Sequence, residues 1–345
     1  MPDLSLTGVS HFYGDRLAVD QVSVAVGEGE IFCLLGPSGC GKSTTLRLVA
    51  GLEDLQHGVV RIDGRVVADA GVNLPTENRH VGMVFQDHAL FPHLTVADNI
   101  GFGLNRRDHA ARRKTAATWA GRLGLTPHLD VFPHRLSGGE QQRVALARAM
   151  APEPAVMLLD EPFSSLDNRL RDQIRDDTVQ LLKQAGTPTL LVTHDPEEAM
   201  RMGDRIGIMQ AGRLVQVDTP DGVYARPATP FAARFLSETN ELLLHAAGGT
   251  VTTPWGKLPV PSGQGDAVDA LLMFRPEALV EAADGLPCRV LRARSLGAFR
   301  RAEVMFDALP GMPLVARLPP GPALGDGAEL RLALNHSACF VFPAT

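Results

Sequence analysis

The sequence has few cysteines and no long apolar run. Its four cysteines, Cys33, Cys40, Cys288 and Cys339, lack CxxC spacing, which argues against a zinc site or a disulfide framework and favours a reducing, cytosolic compartment. No stretch approaches the roughly 18 consecutive apolar residues of a membrane span, and the N-terminus lacks the basic flank and apolar core of a signal peptide. We therefore expect any membrane role to come through partners.

An excess of positive charge is also missing. The 33 basic and 39 acidic side chains give a net charge of −6, which argues against a broad surface for nucleic acid. With 45% hydrophobic and 21% charged residues, the composition is that of a globular protein. The 345 residues are enough for two domains.

Residues 1 to about 235 alternate short apolar runs with helix-like stretches. Apolar runs bounded by turn residues are typical of strands buried on both faces of an α/β sheet. The runs are 31–35, 81–85, 155–159 and 189–192, and the helix-like stretches include 42–50, 112–123 and 141–150.

After about Asn240 the pattern changes. The last 105 residues hold 11 of the 25 prolines, and apolar runs of three to seven residues lie between glycine and proline breakers. This pattern predicts short strands in a small β-barrel or sandwich. We place the boundary near residues 237–242, which gives domains 1–237 and 238–345.

A glycine-rich segment, GPSGCGKS, follows the run 31–35 and opens a helix. In that context it indicates a phosphate-binding P-loop rather than an ordinary glycine-rich turn. Glycines let backbone N–H groups approach phosphate oxygens, Lys42 offers a cation to the β- and γ-phosphates, and Ser43 offers a hydroxyl to Mg²⁺. The predicted nucleotide contacts here are Gly36, Pro37, Ser38, Gly39, Cys40, Gly41, Lys42, Ser43 and Thr44.

Two acids, Asp160 and Glu161, end the apolar run 155–159. Because successive side chains of a strand point to opposite faces, we expect different roles for them. Asp160 is expected to hold the metal, and Glu161 to polarise the attacking water. Taken alone, two solvated acids would be the simpler interpretation, but the P-loop favours phosphate chemistry.

The segment LSGGEQQRVALARAM, residues 136–150, predicts a second glycine-rich helix start. Ser137 and Glu140 have capping-box spacing, while Gly138 and Gly139 leave the first-turn amides uncovered for an anion. An ordinary capped helix would show much of the same pattern.

His194 lies between the run 189–192 and a predicted helix start. Asp195 is in position to be the N-cap, with Pro196 and Glu198 following in the first turn. A lone histidine is more often structural. Because α/β proteins bind ligands at such strand-to-helix connections, His194 is a candidate for contact with a γ-phosphate.

Together these motifs resemble those of ABC transporter ATPases, and the likeness covers essentially the whole chain. LSGGE between the P-loop and the two acids is the most specific element. The resemblance implies a P-loop ATPase domain with a helical subdomain at about 88–150, followed by a small OB-like (TOBE) β domain. It also implies head-to-tail pairing of two copies, in which Ser137, Gly138 and Gly139 contact the γ-phosphate of ATP held by the partner.

The resemblance assigns five further features. Tyr13 would stack on adenine, although a half-buried strand aromatic is the alternative. Gln86 matches the Q-loop glutamine, and residues 164–167 match the D-loop, which communicates between the two sites. Glu161 matches the catalytic base and His194 the switch histidine.

The implied activity is hydrolysis of ATP with Mg²⁺, and Ser43, Gln86 and Asp160 are the expected metal contacts. The expected partners are a second copy of the chain, integral membrane permease subunits that dock near residues 88–99, and indirectly a solute-binding protein, with no nucleic acid. The expected location is the cytoplasmic face of the inner membrane.

In the C-terminal part, residues 274–277 and 296–306 resemble the TOBE domain of importer ATPases. An arginine cluster there is expected to be a solvated strand face, with contacts to a partner subunit or a regulatory ligand as the alternative. Its members are Arg289, Arg292, Arg294, Arg300 and Arg301.

The transported solute would pass through other subunits, so whole-chain likeness is the only guide to it. The segment 73–104 and the C-terminal part look most similar to ferric-iron import ATPases. Polyamine, sulfate, phosphonate and sugar importers share much of the same sequence. A soluble ABC ATPase acting on chromosomes or ribosomes is the alternative of another class, but the single cassette and the lack of a heptad run argue against it.

Overall fold

The computed structural model describes residues 3–104, 108–164, 168–260 and 267–344, without the side chains of 168–170 and 267–268. The chain divides into two compact units, Met1–Asp221 and Gly222–Thr345. The sequence-based boundary at 237 lies later in the chain, where the last helix before the C-terminal strands ends at Leu236. No helix in the described ranges is long and apolar enough to span a membrane.

The first unit alternates strands and helices. Its strands are β1 (Leu4–Tyr13), β2 (Arg16–Val26), β3 (Ile31–Leu35), β4 (His57–Ile62), β5 (Arg65–Ala68), β6 (Val81–Val84), β7 (Val156–Asp160), β8 (Thr189–Thr193), β9 (Arg205–Gln210) and β10 (Arg213–Asp218). The α-helices of the chain are α1 (Lys42–Ala50), α2 (Val96–Ile100), α3 (His109–Arg122), α4 (Gly138–Met150), α5 (Asn168–Ala185), α6 (Pro196–Met202), α7 (Pro220–Ala225) and α8 (Pro230–Leu236).

A six-stranded sheet in the order β10-β9-β3-β8-β7-β6 forms the centre of this unit. All neighbours pair in parallel except β9 and β10. Leu35 lies opposite Thr193, and Asp160 lies opposite Val192. The carboxyl ends of β3, β7 and β8 therefore meet at one edge, where an open α/β sheet binds its ligands.

The sequence-based strands and helices of this unit are confirmed. Every residue of β3, β7 and β8 is buried, as the unbroken apolar runs predicted. The helix α1 has the predicted bounds, whereas α3 and α4 each begin three residues before the predicted start. A second, antiparallel sheet in the order β2-β1-β4-β5 shares a hydrophobic core with β3, β8 and α1.

The C-terminal end of α1 is closed by a buried guanidinium. Gly51 adopts the left-handed conformation (φ 77°) at the C-cap. Arg79 donates hydrogen bonds to the carbonyls of Leu48 (2.6 Å) and Val49 (3.0 Å), which the helix itself leaves unpaired. A cation at this end also opposes the helix dipole. Arg79 therefore fixes the far end of the helix that begins at the P-loop.

The second unit contains the remaining strands. They are β11 (Asn240–Ala247), β12 (Thr250–Thr253), β13 (Gly256–Pro259), β14 (Ala267–Phe274), β15 (Leu279–Ser295), β16 (Arg300–Phe306), β17 (Leu314–Leu318), β18 (Glu329–Leu334) and β19 (Cys339–Pro343). They form two antiparallel sheets, β13-β12-β11-β14-β19 and β17-β16-β15-β18, around a common apolar core. The expectation of a small all-β domain is confirmed. One strand, β15, is longer than expected, because the run continues past a pairing irregularity between Glu281 and Leu286.

The arginine cluster of this unit does not form one exposed face, since Arg301 is partly buried and pairs with Glu238. Arg289, Arg292 and Arg294 are exposed on β15, as a solvated strand face predicts. For Arg300 that expectation is wrong. Its side chain is buried, and it donates to the carbonyls of Pro319 and Pro322 and to the carboxylate of Glu281, because the proline-rich segment 319–322 lies over it.

Candidate functional site

The P-loop runs from the end of β3 to the start of α1. Gly39 (φ 77°) and Gly41 (φ 106°) have left-handed backbones, which glycine adopts without the Cβ penalty. Gly41 is the N-cap of α1 and offers no side-chain hydrogen bond to the first turn. The first amides of α1 are therefore uncapped by any side chain, as an anion site at a helix N-terminus requires.

The glycines of this loop are required for two different reasons. A Cβ on Gly36 would lie 2.3 Å from the carbonyl oxygen of Met209, and one on Gly41 would lie 2.3 Å from that of Ala18. At Gly39 the nearest atom to such a Cβ would be the Arg16 guanidinium, at 3.8 Å. Close packing on the protein's own backbone thus selects two of these glycines, and backbone conformation alone selects Gly39.

Lys42 is a buried cation in the middle of this loop. Its side chain is only 4% exposed, and Nζ donates to the carbonyls of Gly36 (2.8 Å) and Pro37 (3.0 Å). Within the described ranges no carboxylate pairs with it. Nζ also lies 3.9 Å from the Cys40 sulfur. A buried charge whose partners are all uncharged is unfavourable unless an anion neutralises it, so Lys42 fits a phosphate ligand.

The other P-loop positions surround this amine. Ser38 and Gly39 are exposed, Pro37 and Thr44 are half-buried, and Cys40 is buried. Burial raises the pKa of the Cys40 thiol despite the nearby Lys42. All four cysteines of the chain are free.

Ser43 and Asp160 are brought together from α1 and β7. The Ser43 hydroxyl donates to Oδ1 of Asp160 at 2.9 Å. Burial raises the pKa of Asp160, and the hydrogen bond from Ser43 partly opposes that rise. A hydroxyl and a carboxylate are the hard oxygen ligands that Mg²⁺ prefers, so the pair fits that ion.

Glu161 does not continue the strand. The strand β7 ends at Asp160, and Glu161 has a left-handed backbone (φ 45°) while its N–H donates to the carbonyl of Val192 at 2.9 Å. Its side chain is therefore directed by this turn and not by strand alternation, which corrects the reason given from the sequence. Such a conformation is costly for a side-chain-bearing residue and is held by its surroundings.

His194 lies beside Glu161 at the end of β8. Its Nδ1 is 2.9 Å from Oε2 of Glu161, and the histidine side chain is 52% exposed while the glutamate is 16% exposed. The predicted helix start is confirmed, since Asp195 is the N-cap of α6 and accepts from the N–H groups of Glu197 and Glu198. A carboxylate and an imidazole in contact are suited to orienting water and to proton transfer.

Ser137 begins α4 with a complete capping box, as predicted. Its hydroxyl donates to Oε2 of Glu140 at 2.8 Å and accepts from the Glu140 N–H at 3.4 Å. The Ser137 hydroxyl and the Ser137 N–H, which donates to the same oxygen at 2.8 Å, lower the pKa of Glu140. Glu140 also contacts Nε2 of His128 at 3.2 Å. Ser137 and Gly138 are exposed and Gly139 is buried, so part of this glycine-rich turn faces outward.

Gln86 is exposed in the turn after β6. Further along the same turn, His88 (φ 63°) and Ala89 (φ 45°) have left-handed backbones. Arg148 of α4 donates to both of their carbonyls, at 2.9 Å to His88 and 2.7 Å to Ala89. The segment that follows Gln86 is thus joined directly to the helix that begins at Ser137.

Tyr13 is the last residue of β1, and its side chain is 44% exposed. Its hydroxyl donates to Glu53 at 3.1 Å, and the His11 ring meets it edge-on with centroids 4.7 Å apart. The residue is thus partly covered, as the alternative of a half-buried strand aromatic also has it, and stacking on adenine stays a prediction. Of the D-loop, Ser164 donates to the carbonyl of Glu161 at 3.0 Å, while Ser165, Leu166 and Asp167 lie outside the described residues.

Sequence reasoning missed four side chains that support this site. They are Arg16, which donates to the Gly39 carbonyl at 3.3 Å, together with Arg148, Arg175 and Glu198. Each bridges segments far apart in the chain. The available signal was weak. Of the three arginines, only Arg148 lies in a stretch predicted to be helical from its sequence, where an arginine among apolar residues is rarely buried without a partner.

Comparison with known proteins identifies similar chains. Residues 19–164 match the family model described as ABC transporter. The chain is 41% identical to a sulfate/thiosulfate import ATP-binding protein of Chromobacterium violaceum, over 97% of this chain and 96% of that protein. It is 41% identical to an Fe(3+) ions import ATP-binding protein of Streptomyces coelicolor, over 93% and 92%. It is 42% identical to an sn-glycerol-3-phosphate import ATP-binding protein of Chromohalobacter salexigens, over 100% and 95%.

Proposed function

Because this chain belongs to the ATP-binding proteins of the ABC transporter family, we propose that it is the ATP-hydrolysing subunit of a membrane import complex. One observation carries the proposal. Two contacts meet at a single edge of the sheet. Ser43, at the start of α1, contacts Asp160 at 2.9 Å. Glu161 and His194, which follow β7 and β8, contact each other at 2.9 Å. These are the parts that phosphoryl transfer to water requires.

The triphosphate would lie in the P-loop. The uncapped amides of α1 and the Lys42 amine would hold its oxygens, with Gly36, Pro37, Ser38, Gly39, Cys40, Gly41 and Thr44 forming the surrounding loop. Mg²⁺, held through Ser43, Gln86 and Asp160, would neutralise charge on the phosphate oxygens.

Glu161 would orient the attacking water, and His194 would hold Glu161 and the γ-phosphate in register. The 2.9 Å contact between the two side chains gives each a fixed neighbour. Little covalent chemistry is asked of the protein, since positioning and charge stabilisation supply most of the rate.

A second copy of the chain would complete the site. In this arrangement Ser137, Gly138 and Gly139 of one copy meet the γ-phosphate held by the P-loop of the other. Loss of the γ-phosphate removes a contact made only in the closed dimer, and the equilibrium shifts to the open dimer. That cycle would drive permease subunits at the cytoplasmic face of the inner membrane, fed by a solute-binding protein.

Two further surfaces have roles in this proposal. The exposed ring of Tyr13 would stack on adenine. Residues 88–99 would dock the permease, and the hydrogen bonds of Arg148 to His88 and Ala89 join that segment to α4. The nucleotide state could then be transmitted to the permease through α4.

For the solute we propose ferric iron, on the likeness of residues 73–104 and of the C-terminal unit to iron importers. Of the three relatives reported above, one is named for Fe(3+) import, one for sulfate/thiosulfate and one for sn-glycerol-3-phosphate. Polyamine, sulfate, phosphonate and sugar import are the alternatives. A soluble, non-transport ABC ATPase is the alternative of another class.

Glu161→Gln tests the ATPase mechanism. The variant should bind ATP with affinity within about threefold of wild type and lose about a hundredfold or more in turnover. It should also accumulate an ATP-bound dimer, measured by light scattering after gel filtration. Glu197→Gln, an exposed acid on α6, is the matched control. Wild-type turnover in Glu161→Gln would contradict the assignment.

The solute is tested in the complex reconstituted with its permease. Stimulation of ATP hydrolysis by an iron-loaded binding protein, with none from sulfate- or polyamine-loaded proteins, is the expected result. If the chain fails to co-purify with any permease, the transport role is wrong.

A further inference from the structure

Behind His194 lies a buried polar cluster that the proposed reaction does not use. It joins α5 to the start of α6 and to the end of β8. Its members are Arg175 on α5, Asp195 and Glu198 on α6, and Thr193 on β8.

Arg175 is the centre of the cluster. Its side chain is 3% exposed, and Nη2 contacts Oδ2 of Asp195 at 2.7 Å and Oε2 of Glu198 at 3.3 Å. Nη1 lies 3.6 Å from Asp172, one turn earlier on α5. One guanidinium nitrogen thus contacts two carboxylates by charge-assisted contacts and ties α5 to the start of α6.

Glu198 is the more unusual member. Its side chain is 5% exposed, and Oε2 accepts a hydrogen bond from the Thr193 hydroxyl at 3.2 Å. Its Oε1 has no hydrogen-bond partner among the described residues. A buried, half-satisfied carboxylate costs stability, so its retention requires a compensating gain elsewhere.

The cluster holds both neighbours of His194 in the chain. Thr193 donates to Glu198, and the same hydroxyl accepts from the Asp195 N–H at 3.0 Å. Asp195 caps α6 while its other oxygen pairs with Arg175. The backbone of His194 is thus fixed on each side by residues that converge on Arg175 and Glu198.

We infer that Arg175 and Glu198 are positioning residues that set the placement of the His194 side chain against Glu161. The inference rests on the proposed function, because it takes His194 as part of the hydrolytic site. It explains why a costly buried ion pair lies at this point: an apolar contact could join α5 to α6, but it could not orient the Asp195 carboxylate.

The charges around Glu198 also make this placement sensitive to protonation. Arg175 of α5 and Asp195 of α6 face it directly, and the Cys33 thiol of β3 lies near enough to sense its charge. Burial raises the pKa of Glu198 to about 7, against the opposing effects of Arg175 and Thr193. Below that pH the Glu198 carboxyl is neutral, and Arg175 keeps its ion pairs with Asp195 and Asp172.

The first test separates positioning from binding. Arg175→Met and Glu198→Gln should each lower kcat about tenfold, while the KM for MgATP stays within about twofold. Arg175→Lys should recover part of the loss. Arg201→Ala is the matched control, since Arg201 joins the same two helices by exposed pairs with Asp172 and Asp176. Its kcat should change less than twofold.

The second test is a double-mutant cycle with His194→Ala. If Glu198 acts through His194, Glu198→Gln should have no further effect on kcat in the His194→Ala background. The pH profile of kcat should also lose its inflection near pH 7 in Glu198→Gln. The isosteric Glu198→Gln keeps the test valid if Arg175→Met fails to fold.

The outcomes distinguish the two claims. Wild-type turnover in His194→Ala would refute the proposed role of His194 itself. A large loss in His194→Ala, together with an additive loss or no loss in Glu198→Gln, would overturn the positioning inference and leave the ATPase proposal intact.

Discussion

Two helices of the first unit begin at glycine-rich turns, yet their N-termini differ in one respect. At α1 the N-cap Gly41 provides no side-chain hydrogen bond, and the buried Lys42 amine lies beside the free amides. At α4 the Ser137 hydroxyl and the Glu140 carboxylate cap each other's backbone N–H groups. The first end has no side-chain cap, whereas at the second a capping box already pairs two backbone N–H groups within the chain.

The difference bears on where nucleotide binds first. An uncapped helix start with a buried cation favours an anion strongly. A capped helix start binds an anion less strongly, because the anion must compete with Glu140 for the Ser137 hydroxyl. We therefore expect a single copy to bind ATP through α1 alone, and α4 to contribute only when a partner is positioned by the dimer.

The helix α6 adds a third case. Its N-cap Asp195 is held in turn by Arg175, so this end is both satisfied and anchored to another helix. Variants should therefore affect mainly ATP binding at α1, the pH dependence of stability at α6, and turnover in the dimer at α4.

The largest effect is expected at α1. Lys42→Ala should weaken ATP binding about a hundredfold or more, because it removes the buried cation at the start of α1. Lys183→Ala is the matched control, since Lys183 pairs with Asp204 away from the loop. Titration with a fluorescent ATP analogue measures both. If Lys42→Ala and Lys183→Ala bind ATP equally well, the start of α1 does not depend on its buried cation to hold the anion.

At α6, Glu198→Gln should change how stability depends on pH. The folded-state pKa of about 7 lies above the ordinary value of 4.5, so the folded chain binds the proton more tightly. The free energy of unfolding of the wild type therefore falls as pH rises from about 4.5 to about 7 and is flat above.

In Glu198→Gln this contribution is absent, so the wild type should lose on the order of 2 kcal/mol more than the variant between pH 5 and pH 8. Urea unfolding at the two pH values measures it. The exposed Glu197→Gln should keep the wild-type slope, and an unchanged slope in Glu198→Gln would show that the buried carboxyl does not titrate there.

At α4 the expected effect on stability is the smallest. Ser137→Ala should cost about 1 kcal/mol of unfolding free energy through loss of the cap. Thr229→Ala removes a comparable cap, which accepts from the Ala232 N–H at 3.1 Å, and should cost about the same. Only Ser137→Ala should also lower turnover at concentrations where the dimer forms. If both variants change turnover equally, Ser137 acts only as a helix cap.

Local features of this fold were predictable from the sequence. The bounds of α1, the N-caps Ser137 and Asp195, and the buried strands β3, β7 and β8 follow from residue types within a few positions of each other. The P-loop belongs with these, since its spacing and its place after a strand are both written in consecutive residues.

Features that depend on distant residues were not predictable. Glu161 and His194 are 33 positions apart, and their contact depends on the pairing of β7 with β8. Glu198 illustrates the limit well. As an acid in the first turn of α6 it marks a helix start, and nothing in that local pattern indicates that it is buried against Arg175.

The same limit holds in the second unit. Short apolar runs between breakers predicted strands, but not that β15 continues through an irregularity to span Leu279–Ser295. The arginine count predicted an exposed face, and only the path of 319–322 buries Arg300.

Arg148 couples the turn after Gln86 to the helix α4 through a single side chain. Its two hydrogen bonds to the turn after Gln86 are charge-assisted and partly shielded from water. A displacement of that turn by an ångström or so must either break them or carry α4 along. If two copies pair as proposed, contact with a permease on one side of this guanidinium would therefore reach the nucleotide of the other copy without passing through the chain's own P-loop.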